Sequence, residues 1–341
     1  MPNRQIVLVR RPEGSLATTA TELVESPMPA IGEGQALVRV GTLSIDPTIR
    51  TWMNDAPGYL PAIELGAVVR STGVGVVTES QSPRYRVGDV VTGMTGWQEW
   101  AVADDANRFS VLPPAWGVDL PTAMNVLGVT GLTAYFGLLD VGRLAPGDVV
   151  VVSGAAGATG SLVGQLARQR GASRVIGIAG GPEKCARVVD QYHFDDCVDY
   201  RDPDWPRHLR RLAAPGIDVF FDNVGGETLD VALANLARGA RVVMCGAISQ
   251  YDHAERPRGI ANTSMLIVRR ASMTGFLVLD FLARSAEAYD VLVPLVREGT
   301  IVHHEHLVSG LERAPEALHL VLTGGNQGKM LVVVDPSVTL A

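Results

Sequence analysis

The stretch Val149-Val150-Val151-Val152-Ser153-Gly154-Ala155-Ala156-Gly157-Ala158-Thr159-Gly160 is a β-branched run that opens into a glycine-rich turn. SLVGQLARQRG (161–171) follows, amphipathic at helical spacing and closed by a glycine. Within the turn, Ala155, Gly157 and Gly160 form A-x-G-x-x-G, a dinucleotide-binding fingerprint with alanine at its first glycine position. That chemistry asks for a tight strand-to-helix turn, a residue without a side chain where backbone meets pyrophosphate, and a small residue where helix touches sheet. The helix N-terminus then offers its first N–H groups and the positive end of its dipole to phosphate oxygens. Glycine-rich turns also serve packing alone, so the order strand, turn, helix, strand decides the reading. RVIGIAG (174–180) supplies the next strand, and the order is met.

Outward from this turn, strand and helix texture alternate. DVFFDNVG (218–225), RVVMCGA (241–247) and SMTGFLV (272–278) read as strands; GPEKCARVVDQY (181–192), GETLDVALANLARG (226–239) and ARSAEAYDVLVPLVREG (283–299) read as helices. LPTAMNVLGVTGLTAYFGLLDV (120–141) reads as helical as well. The alternation predicts an α/β fold, with a doubly wound parallel sheet of the Rossmann kind over residues 121–299. Residues 1–120 instead carry short β-rich runs, IVLV (6–9), QALVRV (35–40), GVGVV (73–77) and DVVTGM (89–94), separated by Pro, Gly and Asp as in a barrel-like domain. TIVHHEHLV (300–308) and KMLVVV (329–334) return to strand texture, so residues 300–341 are expected to rejoin that first domain.

At about 150 residues per domain, 341 residues suggest two domains. The balance of 29 Lys+Arg against 36 Asp+Glu, a net charge of −7, provides no basic surface for nucleic acid. No apolar run reaches the roughly 18 to 20 residues that cross a bilayer. The opening MPNRQIVLVRRPEGS contains only the run IVLV, too short for a secretory signal. The cysteines, Cys185, Cys197 and Cys245, are odd in number and lack framework spacing, which fits a reducing compartment; a cytoplasmic protein is expected. The 37 glycines form no collagen-like period and point to tight turns and close backbone approaches.

The NAD form of the fingerprint places Asp or Glu about 20 residues further on, against the ribose 2′-hydroxyl. Here that position falls on Ala179-Gly180-Gly181, followed by Lys184 and Arg187. A missing acid and two nearby cations favour NADP(H) over NAD(H). Taken alone, Lys184 would read as a solvated helix residue. Catalytic zinc needs Cys and His ligands ahead of the nucleotide fold, yet residues 1–192 contain no histidine and residues 1–184 no cysteine; no metal is expected. His303, His304 and His306 fall on an expected strand with His304 and His306 on one face, and read as strand polars.

The chain resembles the zinc-independent medium-chain reductases of the leukotriene B4 dehydrogenase, prostaglandin reductase, alkenal double-bond reductase and curcumin reductase group. The segments that carry the resemblance are DPTIR (46–50), GYLP (58–61), GVTGLTAYFGLL (128–139), SGAAGATGSLVGQLA (153–167), GIAGGPEKC (177–185), FFDNVGGE (220–227), CGAISQY (245–251), GFLV (275–278) and GGNQGKMLV (324–332). The resemblance implies a partly open, GroES-like β-barrel beside a Rossmann domain, and NADPH-dependent reduction of the carbon–carbon double bond of α,β-unsaturated carbonyls. It also implies that Gly157, Ala158, Thr159 and Gly160 hold the pyrophosphate and that Lys184 holds the 2′-phosphate with Tyr200 nearby. Asn223 would line the cofactor cleft, and Cys245, Gly246, Ala247, Ile248, Ser249 and Tyr251 would run beside the nicotinamide ribose. Phe276, Leu277 and Val278 would meet the nicotinamide, Asn326 would close over it, and Tyr251 is the position implicated in catalysis. Relatives are commonly homodimers that pair sheet edges, here SMTGFLVLDF (272–281). Two departures stand out: Thr48 where relatives often carry an aromatic or other residue, and Thr159 in place of valine.

Hydride delivered to the β-carbon of an enone pushes charge onto the carbonyl oxygen, and without a metal, preorganised donors must meet it. Tyr251 is the candidate donor or organiser; the alternative is that it only packs on the ribose. Tyr59 is a candidate substrate contact or a plain packing residue. The expected substrate is a small apolar unsaturated carbonyl compound. A zinc-free quinone reductase and a non-catalytic NADPH-binding sensor are the competing functions.

Overall fold

The computed structural model describes residues 2–13, 19–104, 106–107, 109–251 and 259–340. It divides into two compact units, residues 1–124 with 305–341, and residues 125–304.

The first unit carries strands β1 (Asn3–Leu8), β2 (Thr21–Ser26), β3 (Ala36–Ile45), β4 (Gly73–Ser80), β5 (Val90–Gly93), β6 (Trp100–Ala103) and β7 (Ser110–Val111). The second carries β8 (Val149–Ser153), β9 (Arg174–Ala179), β10 (Asp196–Asp199), β11 (Ile217–Asp222), β12 (Leu236–Met244) and β13 (Ser272–Gly275). The chain then returns to the first unit with β14 (Glu305–Ser309) and β15 (Lys329–Val333).

Among the described residues, the first unit holds a seven-stranded sheet in which six strands follow the order β14-β15-β3-β4-β5-β7 and β6 pairs with β3, and β1 pairs β2 separately. The long strand β3 is its spine, because only a nearly continuous apolar strand can be covered on both faces. Trp97, Met53, Leu43 and Val332 pack in its core. Lys329, 2% exposed, forms an ion pair with Asp46, which also accepts a hydrogen bond from the Ser44 hydroxyl at 2.5 Å. A buried ammonium requires such a partner.

The six strands of the second unit run parallel in the order β10-β9-β8-β11-β12-β13. This is the doubly wound arrangement, with its reversal between β8 and β11. All five residues of β8 are buried, as a central strand covered on both faces requires. Helix Ala158–Gln169 lays Leu162, Val163 and Leu166 on the sheet, and Gly171 at φ +84° closes its loop. A Cβ on Gly164 would lie 1.8 Å from Phe194 Cζ, so this helix position admits only glycine.

Three local expectations are corrected. Residues 120–141 form two helices, Leu120–Asn125 and Val129–Phe136, followed by a π-turn at Gly137–Val141. In the first turn of the second helix a Cβ on Gly131 would lie 1.7 Å from the Val126 carbonyl oxygen, so the chain folds tightly on itself there. The strand expected across 272–278 is only Ser272–Gly275; 3₁₀ turns occupy Val278–Arg284. His303 and His304 precede β14, which starts at Glu305, so the expected alternation of histidines across one strand does not hold. No helix among the described residues is long and apolar enough to cross a membrane.

Candidate functional site

Ligands of doubly wound sheets bind beyond the carboxyl ends of the strands, at the reversal point. In this chain β8 ends in Ser153 and β11 in Asp222, and these two residues lock the strand ends together. The Ser153 hydroxyl donates to Asp222 Oδ1 at 2.7 Å and accepts the Asn223 N–H at 2.8 Å, while Asn223 Nδ2 donates to the Ser153 carbonyl at 2.7 Å. Asp222 is fully buried, and its carboxylate also accepts the N–H groups of Val224 at 3.0 Å and Gly225 at 3.1 Å. Burial pushes this carboxyl above the usual range, and the Ser153 hydroxyl with the two N–H donors pulls it back.

The turn after β8 is held by Gly154 at φ +61°, whose carbonyl accepts the Gly157 N–H at 2.9 Å. A Cβ on Gly160 would lie 2.3 Å from that same carbonyl, so the helix can start this close to the strand only with glycine there. Gly157 caps the helix with no side-chain hydrogen bond, which leaves its first-turn amides to Ala158, Thr159 and Gly160 themselves. Such a terminus suits phosphate oxygens.

Beyond β12, residues 245–251 fold back against the end of β11. The N–H groups of Cys245 and Gly246 donate to the Asp222 carbonyl at 2.9 and 3.1 Å, and Ser249 Oγ donates to the Val224 carbonyl at 2.6 Å. Gly225 and Gly226, both at positive φ, allow this approach; a Cβ on Gly225 would lie 3.2 Å from Ala247 Cβ. Ile248 donates to the Asn223 carbonyl at 3.3 Å. The Tyr251 hydroxyl accepts the Ala247 N–H at 3.0 Å, which fixes the ring over its own loop. Burial, with Asp222 adding to it, pushes the Cys245 thiol up to about 12, so it is neutral and no nucleophile at physiological pH.

After β13, Phe276 turns inward. Its ring packs edge-to-face on Phe221 and Phe281, and a Cβ on Gly137 would lie 2.6 Å from its Cζ. Phe276 therefore offers its backbone, and half-buried Leu277 and Val278 continue the segment.

At the other end of the site, Gly181 at φ +94° opens the helix Pro182–Asp190, and Asp199 at the end of β10 accepts the Gly181 N–H at 2.8 Å and the Arg201 N–H at 3.0 Å. Tyr200 lies flat on Gly180, where a Cβ would come within 2.8 Å of its ring. Burial lowers the Lys184 pKa below the ordinary lysine value, and the guanidinium groups of Arg201 and Arg187 lower it further. Three cations thus converge beside a turn that has no side chain. Arg187 also holds Nη1 buried without a hydrogen-bond partner. Such a cluster of cations suits an anionic ligand.

The structure therefore brings together the phosphate turn, Asn223, the 245–251 loop, Phe276 to Val278, Lys184 and Tyr200 at the carboxyl ends of one sheet. Asn326 and Tyr59 belong to the other unit. Asn326 Nδ2 donates to the Gly328 carbonyl at 2.8 Å. Tyr59, 44% exposed, shares a 2.7 Å hydrogen bond with Thr48 Oγ1, and its ring stands edge-on to Trp52 at 6.0 Å. Residues 55–62 line a concavity of about 480 Å³ around it. Burial raises the Tyr59 pKa, so its hydroxyl stays protonated. Sequence reasoning missed Arg201 and the Ser153–Asp222 lock. Arg201 carried a signal, a cation one residue past Tyr200; the lock did not, because it joins residues far apart in sequence. Among the described residues there is no group of three or more His, Cys, Asp or Glu that could hold a metal ion.

Residues 4–111 match a family model described as the N-terminal domain of oxidoreductase, and residues 158–297 one described as zinc-binding dehydrogenase. The NADPH-dependent curcumin reductase of Escherichia coli is 36% identical over 341 residues, covering 97% of each chain. The NADP(+)-dependent 2-alkenal reductase of Nicotiana tabacum is 36% identical, covering 89% of this chain and 88% of that one. The crystal structure of CurA from Vibrio vulnificus in complex with NADPH matches with TM-score 0.91 and 38% identity, over 97% of this chain and 99% of that chain.

Proposed function

The chain belongs to the zinc-independent medium-chain reductases, in the group of the curcumin, alkenal and prostaglandin reductases, and from that premise we infer that it is an NADPH-dependent reductase of the carbon–carbon double bond of small apolar α,β-unsaturated ketones and aldehydes. When bound, NADPH supplies the hydride. The residues suited to hold it are Gly157 to Gly160 at the pyrophosphate, Lys184, Tyr200 and Arg201 at the 2′-phosphate, and Asn223, the 245–251 loop and Phe276 to Val278 toward the nicotinamide.

The observation that carries this reading is the anchored Tyr251 hydroxyl. An oxygen that accepts a backbone N–H is polarised toward donating its own proton, and reduction at the β-carbon builds negative charge on a carbonyl oxygen that needs such a donor. Tyr251 is thus assigned to stabilise the enolate, and the α-carbon proton comes from water. Tyr59 and Thr48 form a second hydroxyl pair assigned to substrate. Threonine here leaves more room than an aromatic residue would.

Following NADPH consumption with an alkenal, an enone and a quinone tests the reading. Turnover of the first two at rates well above the quinone is expected; turnover confined to the quinone refutes it. Tyr251→Phe should lower kcat about tenfold, the worth of one hydrogen bond, with NADPH affinity changed far less. Equal losses in both would make Tyr251 a cofactor-packing residue.

Edge strand β13 exposes Met273, and the helix Ser264–Arg269 directly before it exposes Ile267 (81%) and Val268 (55%). An unpaired apolar edge of this kind is assigned to pairing with a second copy of the chain. Light scattering at micromolar concentration should give the dimer mass, and Met273→Lys should shift it toward the monomer.

A further inference from the structure

Residues 55–62, which line the concavity around Tyr59, form no helix or strand, yet Tyr59 has a defined place. Thr48 and Trp52 stand four residues apart in the short helix Thr48–Trp52 and so share one side of it. Tyr59 meets both: its hydroxyl shares the 2.7 Å hydrogen bond with Thr48, and its ring stands edge-on to the buried Trp52 indole. Arg70 completes the arrangement. Its guanidinium lies over the Trp52 ring, with Cζ 5.6 Å from the centroid, and Nη1 donates to the Pro61 carbonyl at 2.8 Å, two residues beyond Tyr59. The backbone that carries Arg70 is itself fixed, because Val69 and Ser71 on either side are buried. The Val69 N–H donates to the Ile6 carbonyl and the Val69 carbonyl accepts the Trp97 N–H, each at 2.9 Å, while the Ser71 carbonyl accepts the Gly96 N–H at 3.0 Å. Among the described residues no carboxylate pairs with Arg70, so the indole and the Pro61 carbonyl are what hold its guanidinium. Burial lowers the Arg70 pKa and the neighbouring Tyr59 opposes this, so hydroxyl and guanidinium lie within electrostatic reach of each other.

We propose that Arg70 is a positioning residue for substrate: by clamping the Pro61 carbonyl to the Trp52 indole, it holds the Tyr59 hydroxyl where the enone meets it. An unanchored segment samples many conformations, and a contact delivered from it is weakened by the entropy of ordering that segment on binding. With residues on both sides of Tyr59 tied down, the ordering is complete before substrate arrives. A guanidinium suits this task because its planar face stacks on the indole while its N–H fork stays free to donate in plane. Arg70 acts through Tyr59 and makes no contact with substrate in this role. The effect on KM rests on the assignment of Tyr59 and Thr48 to substrate; the anchor itself does not.

The test compares Arg70→Met, which keeps an unbranched stem without donor or charge, with Arg70→Lys, which keeps both. With benzylideneacetone as the enone and saturating NADPH, Arg70→Met should raise KM roughly tenfold while kcat changes by less than about twofold. Arg70→Lys should recover most of that loss. In a Tyr59→Phe background the Arg70→Met change should add almost nothing to KM, because the hydroxyl that Arg70 positions is gone. Chymotrypsin should cut the native Arg70→Met chain after Tyr59 roughly tenfold faster than wild type, and the Arg70→Lys chain at close to the wild-type rate. Arg70→Gln, a shorter neutral donor, should fall between them and takes the place of Arg70→Met should that variant not fold. Unchanged cleavage after Tyr59 on loss of the guanidinium overturns the proposal. So does a KM loss of equal size with and without the Tyr59 hydroxyl, which would make Arg70 a substrate contact in its own right. If wild type reduces no enone, the substrate reading of the site fails instead, while the cleavage rates still judge the anchor.

Discussion

Replacing Asp222 by alanine is expected to lower the unfolding temperature by roughly 10 °C and to abolish measurable NADPH binding. The carboxylate takes hydrogen bonds from the Ser153 hydroxyl and from the backbone N–H groups of Val224 and Gly225, all in a fully buried setting. Its removal leaves these donors unsatisfied, at about 1 to 3 kcal/mol each, so a total near 3 to 5 kcal/mol is expected. For a unit of this size each kcal/mol corresponds to about 2 to 4 °C. The Asp222 backbone carbonyl also receives Cys245 and Gly246, so a displaced β11 terminus carries the whole 245–251 loop with it. Asp222→Asn keeps one acceptor oxygen and turns an N–H donor toward Gly225; it should fall between wild type and alanine. Thermal scans with NADPH titrations check both, and a wild-type transition in Asp222→Ala would show that the lock contributes little.

The second large effect is on cofactor choice. A charge-assisted hydrogen bond to phosphate contributes about 1.5 to 3 kcal/mol, so Lys184→Ala with Arg201→Ala should weaken NADPH about 10² to 10³-fold. NADH has no 2′-phosphate and should bind the double variant about as it binds wild type. The same site carries a pH signature. Because burial and two guanidinium groups hold the Lys184 pKa below its ordinary value, its charge is present below that pKa and is lost as pH rises through it. NADPH affinity should therefore decline at lower alkaline pH than an unperturbed lysine would produce. The decline should be absent in Lys184→Ala, since the guanidinium groups keep their charge. Dissociation constants for the two cofactors from pH 7 upward check the direction, and a parallel loss of NADH would point to a folding defect.

The parallel sheet was legible because its determinants are local. A fully buried valine run, a glycine turn at fixed spacing and an amphipathic helix each follow from nearest neighbours along the chain. Boundaries were less legible. The run 120–141 is apolar at helical spacing throughout, so nothing local announces the break that Gly131 makes against Val126. SMTGFLVLDF is β-prone over its whole length, yet the strand stops at Gly275 because Phe276 is drawn into the cluster of Phe221 and Phe281.

By itself, the sequence determined the doubly wound fold, the phosphate turn, the absence of an acid at 179–181 and the family, because these depend on residue type and short spacing. Only the tertiary structure brought Ser153 to Asp222 and Arg201 to Lys184. These residues lie 69 and 17 positions apart, and no periodicity joins them; Lys184 and Arg201 meet because β9 and β10 lie side by side. Their charges and hydrogen bonds act through that adjacency, since electrostatic and hydrogen-bond energies depend on distance in space.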